Sequence, residues 1–155
     1  QGERTPHRDA TARGALLGLS LAHTRAHVTR AVLEGVCFAL CDSLAILQEV
    51  DLSPTDLLLT GGGARSPLLR QLQAEVFGLP VSTVNREEGP AYGAALLAAV
   101  GAGAFASIAD ATRATLTRAT PYAPDPQAHR EYAEPYRRYR ASYRAARPES
   151  ISVTQ

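Results

Sequence analysis

The run Leu57-Leu58-Leu59-Thr60-Gly61-Gly62-Gly63-Ala64-Arg65-Ser66-Pro67-Leu68-Leu69-Arg70 decides how this chain is read. A short apolar run stops at three glycines, and a helix is expected to start almost at once. Glycine has no Cβ, so Gly61, Gly62 and Gly63 can take unusual φ/ψ values and let a ligand come close to bare backbone. Ser66 is a good N-cap and Pro67 a good first helical residue. The new helix would point its free N–H groups and positive dipole end back at the loop, which favours a phosphate there. The spacing is not that of the P-loop, because no Gly-Lys-Ser/Thr follows, and it is not Gly-x-Gly-x-x-Gly. From the loop alone, a tight strand-to-helix turn accounts for the same residues equally well.

Working outward, residues 57–60 read as a strand and residues 66–77 as a helix closed by Gly78 and Pro80. Val81 to Val84 reads as a second strand and Asn85 to Glu88 as a polar loop. Gly89-Pro90 opens a helix running to about Val100, with Gly101 and Gly103 ending it. A further helix is predicted over Ile108 to Leu116, then a stiff connector at Pro121, Pro124 and Pro126, then one terminal helix over Ala128 to Arg147. Upstream, residues 24–50 form one long helix, with Val28, Val32, Val36, Ala39, Ile46, Leu47 and Val50 near helical spacing. Leu33, Leu40 and Leu44 widen that stripe, so burial on much of the circumference is expected. Ala15 to Leu19 reads as a short strand or turn.

Strands alternating with helices predict an α/β fold with a small, mostly parallel sheet, helices packed on it and a C-terminal helix. Ligands of such sheets bind beyond the carboxyl ends of the strands. The glycine triplet and the loop 85–89 both fall at that end. Two strands are few for this much helix, which implies further strands before residue 1. Apolar surface left bare by their absence would promote self-association, a homodimer included.

The 155 residues suffice for one domain, expected over 1–147 with a frayed tail at 148–155. A net charge of +1 excludes a strong global field for nucleic acid or an anionic membrane. The chain contains no methionine, so it reads as a piece of a longer protein or a processed product. All 16 positive side chains are arginines, a bias that points to a GC-rich genome. Two cysteines, Cys37 and Cys41, make no disulfide scaffold, and a reducing cytoplasm is the simplest compartment. The apolar stretch Ala91 to Ala106 is shorter than the roughly 20 residues a spanning helix needs, so no membrane segment is expected.

Four segments resemble the carboxyl-terminal part of FGGY-type carbohydrate kinases, and among them the xylulokinases. They are Gly2-Glu3-Arg4-Thr5-Pro6-His7 with Ala12-Arg13-Gly14 and Gly18-Leu19; His23-Thr24-Arg25-Ala26-His27 with Ala31-Val32-Leu33-Glu34-Gly35; Leu59 to Pro67; and Glu87-Glu88-Gly89-Pro90-Ala91-Tyr92-Gly93-Ala94-Ala95. The resemblance implies part of the C-terminal ribonuclease H-like domain of an actin-like ATPase. It also implies Mg·ATP as phosphoryl donor and a sugar hydroxyl as acceptor, D-xylulose giving D-xylulose 5-phosphate. Gly62, Gly63 and Ala64 would lie against the α-phosphate and ribose, with Ser66 and Pro67 bordering the adenine. Gly61 and Arg65 complete the expected ATP-binding set. The family's catalytic aspartate, its Asp-x-Gly-Thr phosphate loop and its sugar-binding residues find no counterpart in residues 1–155. Phosphoryl transfer depends on positioned charge, metal and a base, so the chain alone is expected to be catalytically silent and at best to bind nucleotide weakly. A kinase for ribulose, gluconate or glycerol, a non-catalytic nucleotide-binding remnant and a purely structural domain are the alternatives.

Other candidates read more simply. His23 and His27 are four apart, as are Cys37 and Cys41, but the pairs lie about 15 Å apart along a helix, too far to share one zinc. No metal site is expected on this chain. Asp42, Glu87 and Glu88 are the acids worth testing. Glu87 and Glu88 precede a helix start, which the dipole favours by about 0.3–1 kcal/mol, and an indirect role near Mg²⁺ stays open. Arg65 faces phosphate or solvent, with solvent preferred. Gly89 and Gly93 give a thin helix suited to close packing. Tyr132, Tyr136, Tyr139 and Tyr143 fall at helical spacing with Arg137, Arg138, Arg140 and Arg144 between them. That pattern can stack on single-stranded nucleic acid, but with Glu131 and Glu134 in the same helix a core stripe is the better account.

Overall fold

The computed structural model describes residues 2–86 and 89–146. Glu87, Glu88 and the tail expected over 148–155 lie outside the described residues. The chain divides into two units, Gln1–Ser53 with Asp125–Gln155, and Pro54–Pro124.

The second unit is built on the apolar run. Strand β1 (Leu57–Leu59) and strand β2 (Val81–Thr83) pair in parallel, Leu57 opposite Val81 and Leu59 opposite Thr83. Helix α2 (Pro67–Phe77) makes the crossover between them. Its ends are set by local chemistry: the Ser66 Oγ accepts the Leu69 N–H at 3.2 Å, and Gly78 takes φ 67° to close the helix, its N–H donating to the Ala74 carbonyl. Leu72, Gln73, Ala74 and Val76 of α2 are buried with Val81 and Ser82 of β2. Helices α3 (Gly89–Gly101) and α4 (Ile108–Thr115) pack on each other, with Leu96 and Ala111 buried.

After α4 the chain turns back antiparallel to β2. Val81 and Tyr122 exchange both backbone hydrogen bonds, and Ala119 donates to the Thr83 carbonyl at 2.8 Å. This antiparallel run is the part of the sheet that hydrophobic alternation did not reveal.

In the other unit, helix α1 (Arg25–Glu49) meets α6 (Ala133–Ala145) around one aromatic cluster. The Phe38 ring lies 6.1, 5.8 and 5.6 Å from the rings of Tyr132, Tyr136 and Tyr139. The hydroxyl of Tyr136 donates to the buried Asp42, and that of Tyr132 to Glu34, which also pairs with Arg30. Tyr143 stacks on His7 at 3.6 Å and donates to Asp9. The tyrosine stripe is therefore spent on packing within this unit.

Two expectations are corrected and a third is narrowed to one of its alternatives. The terminal helix is broken: α5 (Pro126–Glu131) ends at Tyr132 and α6 follows. Pro135 has no N–H for the Glu131 carbonyl and its ring crowds that oxygen, so one continuous helix is excluded. Helix α1 is not buried on much of its circumference. Only Cys37, Phe38 and Asp42 are buried, while Val32, Val36, Leu40 and Val50 stay exposed, because α6 covers one side of it. Residues 15–19 form no strand; the chain bends at Gly18. By length and composition α1 is long and apolar enough to cross a membrane, a property the reading of Ala91 to Ala106 passed over.

Candidate functional site

The candidate site grows from the carboxyl end of β1. Thr60 follows the strand, and Gly61 turns the chain with φ 80° and ψ −169°, a conformation that side chains disfavour. Gly62–Arg65 then form a single 3-10 turn, closed by the Ala64 N–H to the Gly61 carbonyl at 3.0 Å and the Ser66 N–H to the Gly63 carbonyl at 3.2 Å. Of the glycines expected to take unusual backbone angles, Gly61 alone does so; Gly62 and Gly63 wind as a turn any residue can adopt.

The three positions differ in what the protein itself demands. Gly61 is required by its backbone. A Cβ on Gly63 would lie 3.1 Å from Cδ2 of Leu69, tighter than ordinary contact. A Cβ on Gly62 would meet no atom of the other described residues within 4 Å beyond its chain neighbours, and the residue is exposed. Ala64 is half-buried, and Arg65 and Pro67 are exposed. The Ser66 hydroxyl is committed to capping α2, beginning the helix with Pro67 at its first position.

The second loop arrives where the parallel topology puts it. Asn85 is fastened to the returning segment on both sides: its N–H donates to the Thr117 carbonyl, its Oδ1 accepts the Thr117 N–H at 3.0 Å, and its Nδ2 reaches the Thr115 carbonyl at 3.4 Å. The Arg86 guanidinium lies 5.2 Å from the ring centre of Tyr92, on the first turn of α3. Hydrogen bonding to the Thr115 side chain, and then to Arg86, holds the Tyr92 phenol below the usual tyrosine range. Gly89 begins α3 against Thr60; a Cβ there would stand 3.4 Å from the Thr60 hydroxyl. Close packing of this thin helix start is thus directed at the residue preceding the glycines. Thr60, Asn85 and Arg86 were not among the residues singled out from sequence. The strand register is the feature that brings them in.

The remaining candidates serve structure. His23 Nδ1 accepts from the Ser20 N–H, and His27 Nδ1 from the Thr24 N–H at the start of α1. Neither cysteine is in a disulfide among the described residues. Burial pushes Cys37 up to about 11 and Cys41 up to about 12, away from thiolate chemistry. No group of three or more His, Cys, Asp or Glu side chains able to hold a metal occurs among the described residues. Asp42 is taken by Tyr136 and Arg140. Glu87 and Glu88 lie outside the described residues.

Comparison with known proteins bears on this arrangement. Residues 1–102 match the family model described as "FGGY family of carbohydrate kinases, C-terminal domain". The chain is 39% identical over 143 residues to a xylulose kinase of Staphylococcus epidermidis, covering 92% of this chain and 29% of that protein. Among solved structures, it superposes on ligand-bound xylulose kinase from Lactobacillus acidophilus with a TM-score of 0.82 at 28% identity, over 94% of this chain and 30% of that one. Gluconate kinase from the same organism superposes with a TM-score of 0.78 at 28% identity, over 90% of this chain and 28% of that one. The chain thus spans under a third of the length of the relatives it matches.

Proposed function

Because the chain belongs to the FGGY family of carbohydrate kinases, carrying that family's C-terminal domain in the actin-like ATPase fold, we propose that it forms the ATP-holding wall of a kinase converting D-xylulose to D-xylulose 5-phosphate. The observation that carries this reading is Gly62. Its exposed backbone sits at the carboxyl end of a parallel strand, where ligands of α/β sheets bind, and among the described residues no atom requires it to be glycine. A nucleotide lying on the turn supplies the requirement.

In this reading Gly61 sets the turn, and Gly62, Gly63 and Ala64 lie under the α-phosphate and ribose. Arg65 adds positive charge, and Ser66 and Pro67 fix the start of α2, whose dipole favours an anion there. The chain's share of the chemistry is binding and orientation. Phosphoryl transfer needs little covalent work from protein and much positioning of charge. The base for the attacking hydroxyl and the sugar contacts belong to other parts of the enzyme, and no residue here is assigned to them. Mg²⁺ would arrive on the phosphates of ATP, since no metal-holding cluster converges among the described residues. The cytoplasm is the compartment that suits ATP and two cysteines without a disulfide among the described residues.

Similarity to xylulose kinases over nine-tenths of the chain supports xylulose as the acceptor. The structural likeness to gluconate kinase favours gluconate as the second reading. A chimera tests the ATP-holding role: residues 1–147 replace the matching C-terminal portion of the Staphylococcus epidermidis xylulose kinase, and ADP release is followed with and without D-xylulose. Xylulose-dependent turnover in a monodisperse chimera is expected. A folded, monodisperse chimera without sugar-dependent ADP release would overturn the proposal.

A further inference from the structure

We propose that Arg86, braced by Tyr92, is a phosphate-reading cation of the nucleotide site, opposite the glycine turn; this inference rests on the nucleotide site proposed above.

Leu59 stands opposite Thr83 in a parallel pair, so both chains run out toward the same end of the sheet, the second continuing along the returning segment through Val84 and Asn85. Three residues further on, the two chains reach Gly62 and Arg86, starting from strands about 4.8 Å apart. The start of α3 ties the two loops together, since Gly89 packs against Thr60.

Arg86 is held ready there. Asn85 before it is locked to Thr115 and Thr117 by backbone and side chain, so the loop's departure from β2 is fixed. Its guanidinium rests on the Tyr92 ring at 5.2 Å, and Tyr92 is in turn tied to Thr115 at the end of α4. Arg86 is nevertheless exposed, and among the described residues no carboxylate pairs with it. Four other exposed arginines, Arg113, Arg118, Arg137 and Arg138, pair with acids. The Tyr92 hydroxyl takes part of the guanidinium's donor fork and leaves the remaining donors for an anion, and a braced side chain loses less freedom when that anion binds. A nucleoside di- or triphosphate on Gly62 matches that chemistry, because guanidinium–phosphate hydrogen bonds are among the strong ones.

The test is calorimetric titration of Mg·ATP and of adenosine into the full chain and into Arg86→Gln, Arg86→Lys and Tyr92→Phe, with a thermal melt for each. Arg86→Gln should lose about tenfold or more in affinity for ATP while adenosine binding is unchanged, with partial recovery in Arg86→Lys. Tyr92→Phe should show a smaller loss of the same kind. If ATP and adenosine weaken together, Arg86 merely supports the fold and the inference fails. If ATP affinity survives Arg86→Gln but is lost in Gly62→Val, the nucleotide site stands without Arg86. If the unsubstituted chain binds neither ligand, the site and the role of Arg86 fall together.

Discussion

A side-chain carbon added to Gly63 would lie 3.1 Å from Cδ2 of Leu69, so the glycine turn and helix α2 are packed against each other at that point. Leu69 sits on the first turn of α2 with its N–H held by the Ser66 hydroxyl, so its side chain must give by a few tenths of an ångström to admit a larger residue at 63. Valine at 63 therefore overpacks the turn, and Gly63→Val should cost about 1–3 kcal/mol in a urea melt. Truncating the neighbour as well, in Gly63→Val with Leu69→Ala, should cost less than the sum of the single changes. Additive costs would show that the two residues are not in conflict.

Gly61 presents a different kind of cost. Its φ of 80° with ψ −169° lies in a region that essentially belongs to glycine, so Gly61→Ala should destabilise by about 1–3 kcal/mol although no neighbour obstructs a Cβ. Equal stability of Gly61→Ala and the unsubstituted chain would mean the turn adopts another backbone path.

In the other unit, the Tyr136 hydroxyl donates to Asp42 at 2.7 Å, and Asp42 is buried. Removing the donor leaves a buried carboxylate with Arg140 as its remaining described partner. Tyr136→Phe should therefore lower stability by about 1–3 kcal/mol, read from denaturant unfolding. Burial and the neighbouring Asp42 raise the Tyr136 pKa above the usual phenol range, so its tyrosinate absorbance should emerge at higher pH than that of free tyrosine. Emergence at the ordinary value would contradict the pairing.

Acid sensitivity is predicted for the segment that Tyr143 holds. Hydrogen bonds from the side chains of Thr11 and Tyr143 hold Asp9 well below the usual carboxylate range. The folded state thus binds a proton less readily than the unfolded one. The stability Asp9 adds is present above its unfolded value near 3.9 and is lost as pH falls through the depressed folded value. Thermal melts from pH 7 to pH 2 should show Asp9→Asn less stable than the unsubstituted chain near neutrality, with the gap closing at the acid end and narrowing in salt. A gap constant with pH would contradict this coupling.

Much of the fold around the candidate site was legible because its signals are local. Ser66 and Pro67 open α2 and Gly78 closes it through hydrogen bonds and backbone angles those residues prefer. The tyrosine spacing indicated a core stripe, and Phe38 provides the centre it packs around. The break at Tyr132 was also within reach of sequence, since Pro135 forbids a bond four residues back, but the aromatic periodicity running through it masked the interruption. Arg86 was not legible. Its importance depends on Leu59 facing Thr83 and on Tyr92 reaching across from another helix, pairings between residues distant in sequence. The exposure of α1 was hidden for a similar reason: an apolar stripe records a tendency to be covered, and which neighbour covers it is decided by the rest of the fold.

The most direct measurement compares Mg·ATP binding by the unsubstituted chain and by Gly62→Val, using calorimetry with thermal melts of both. Among the described residues no atom lies within 4 Å of where the new side chain begins, so the melts should agree within about 0.5 kcal/mol. The account predicts that the unsubstituted chain binds Mg·ATP and that Gly62→Val, equally stable, loses at least about tenfold in affinity, or about 1.4 kcal/mol. Equal affinity in the two proteins would contradict it.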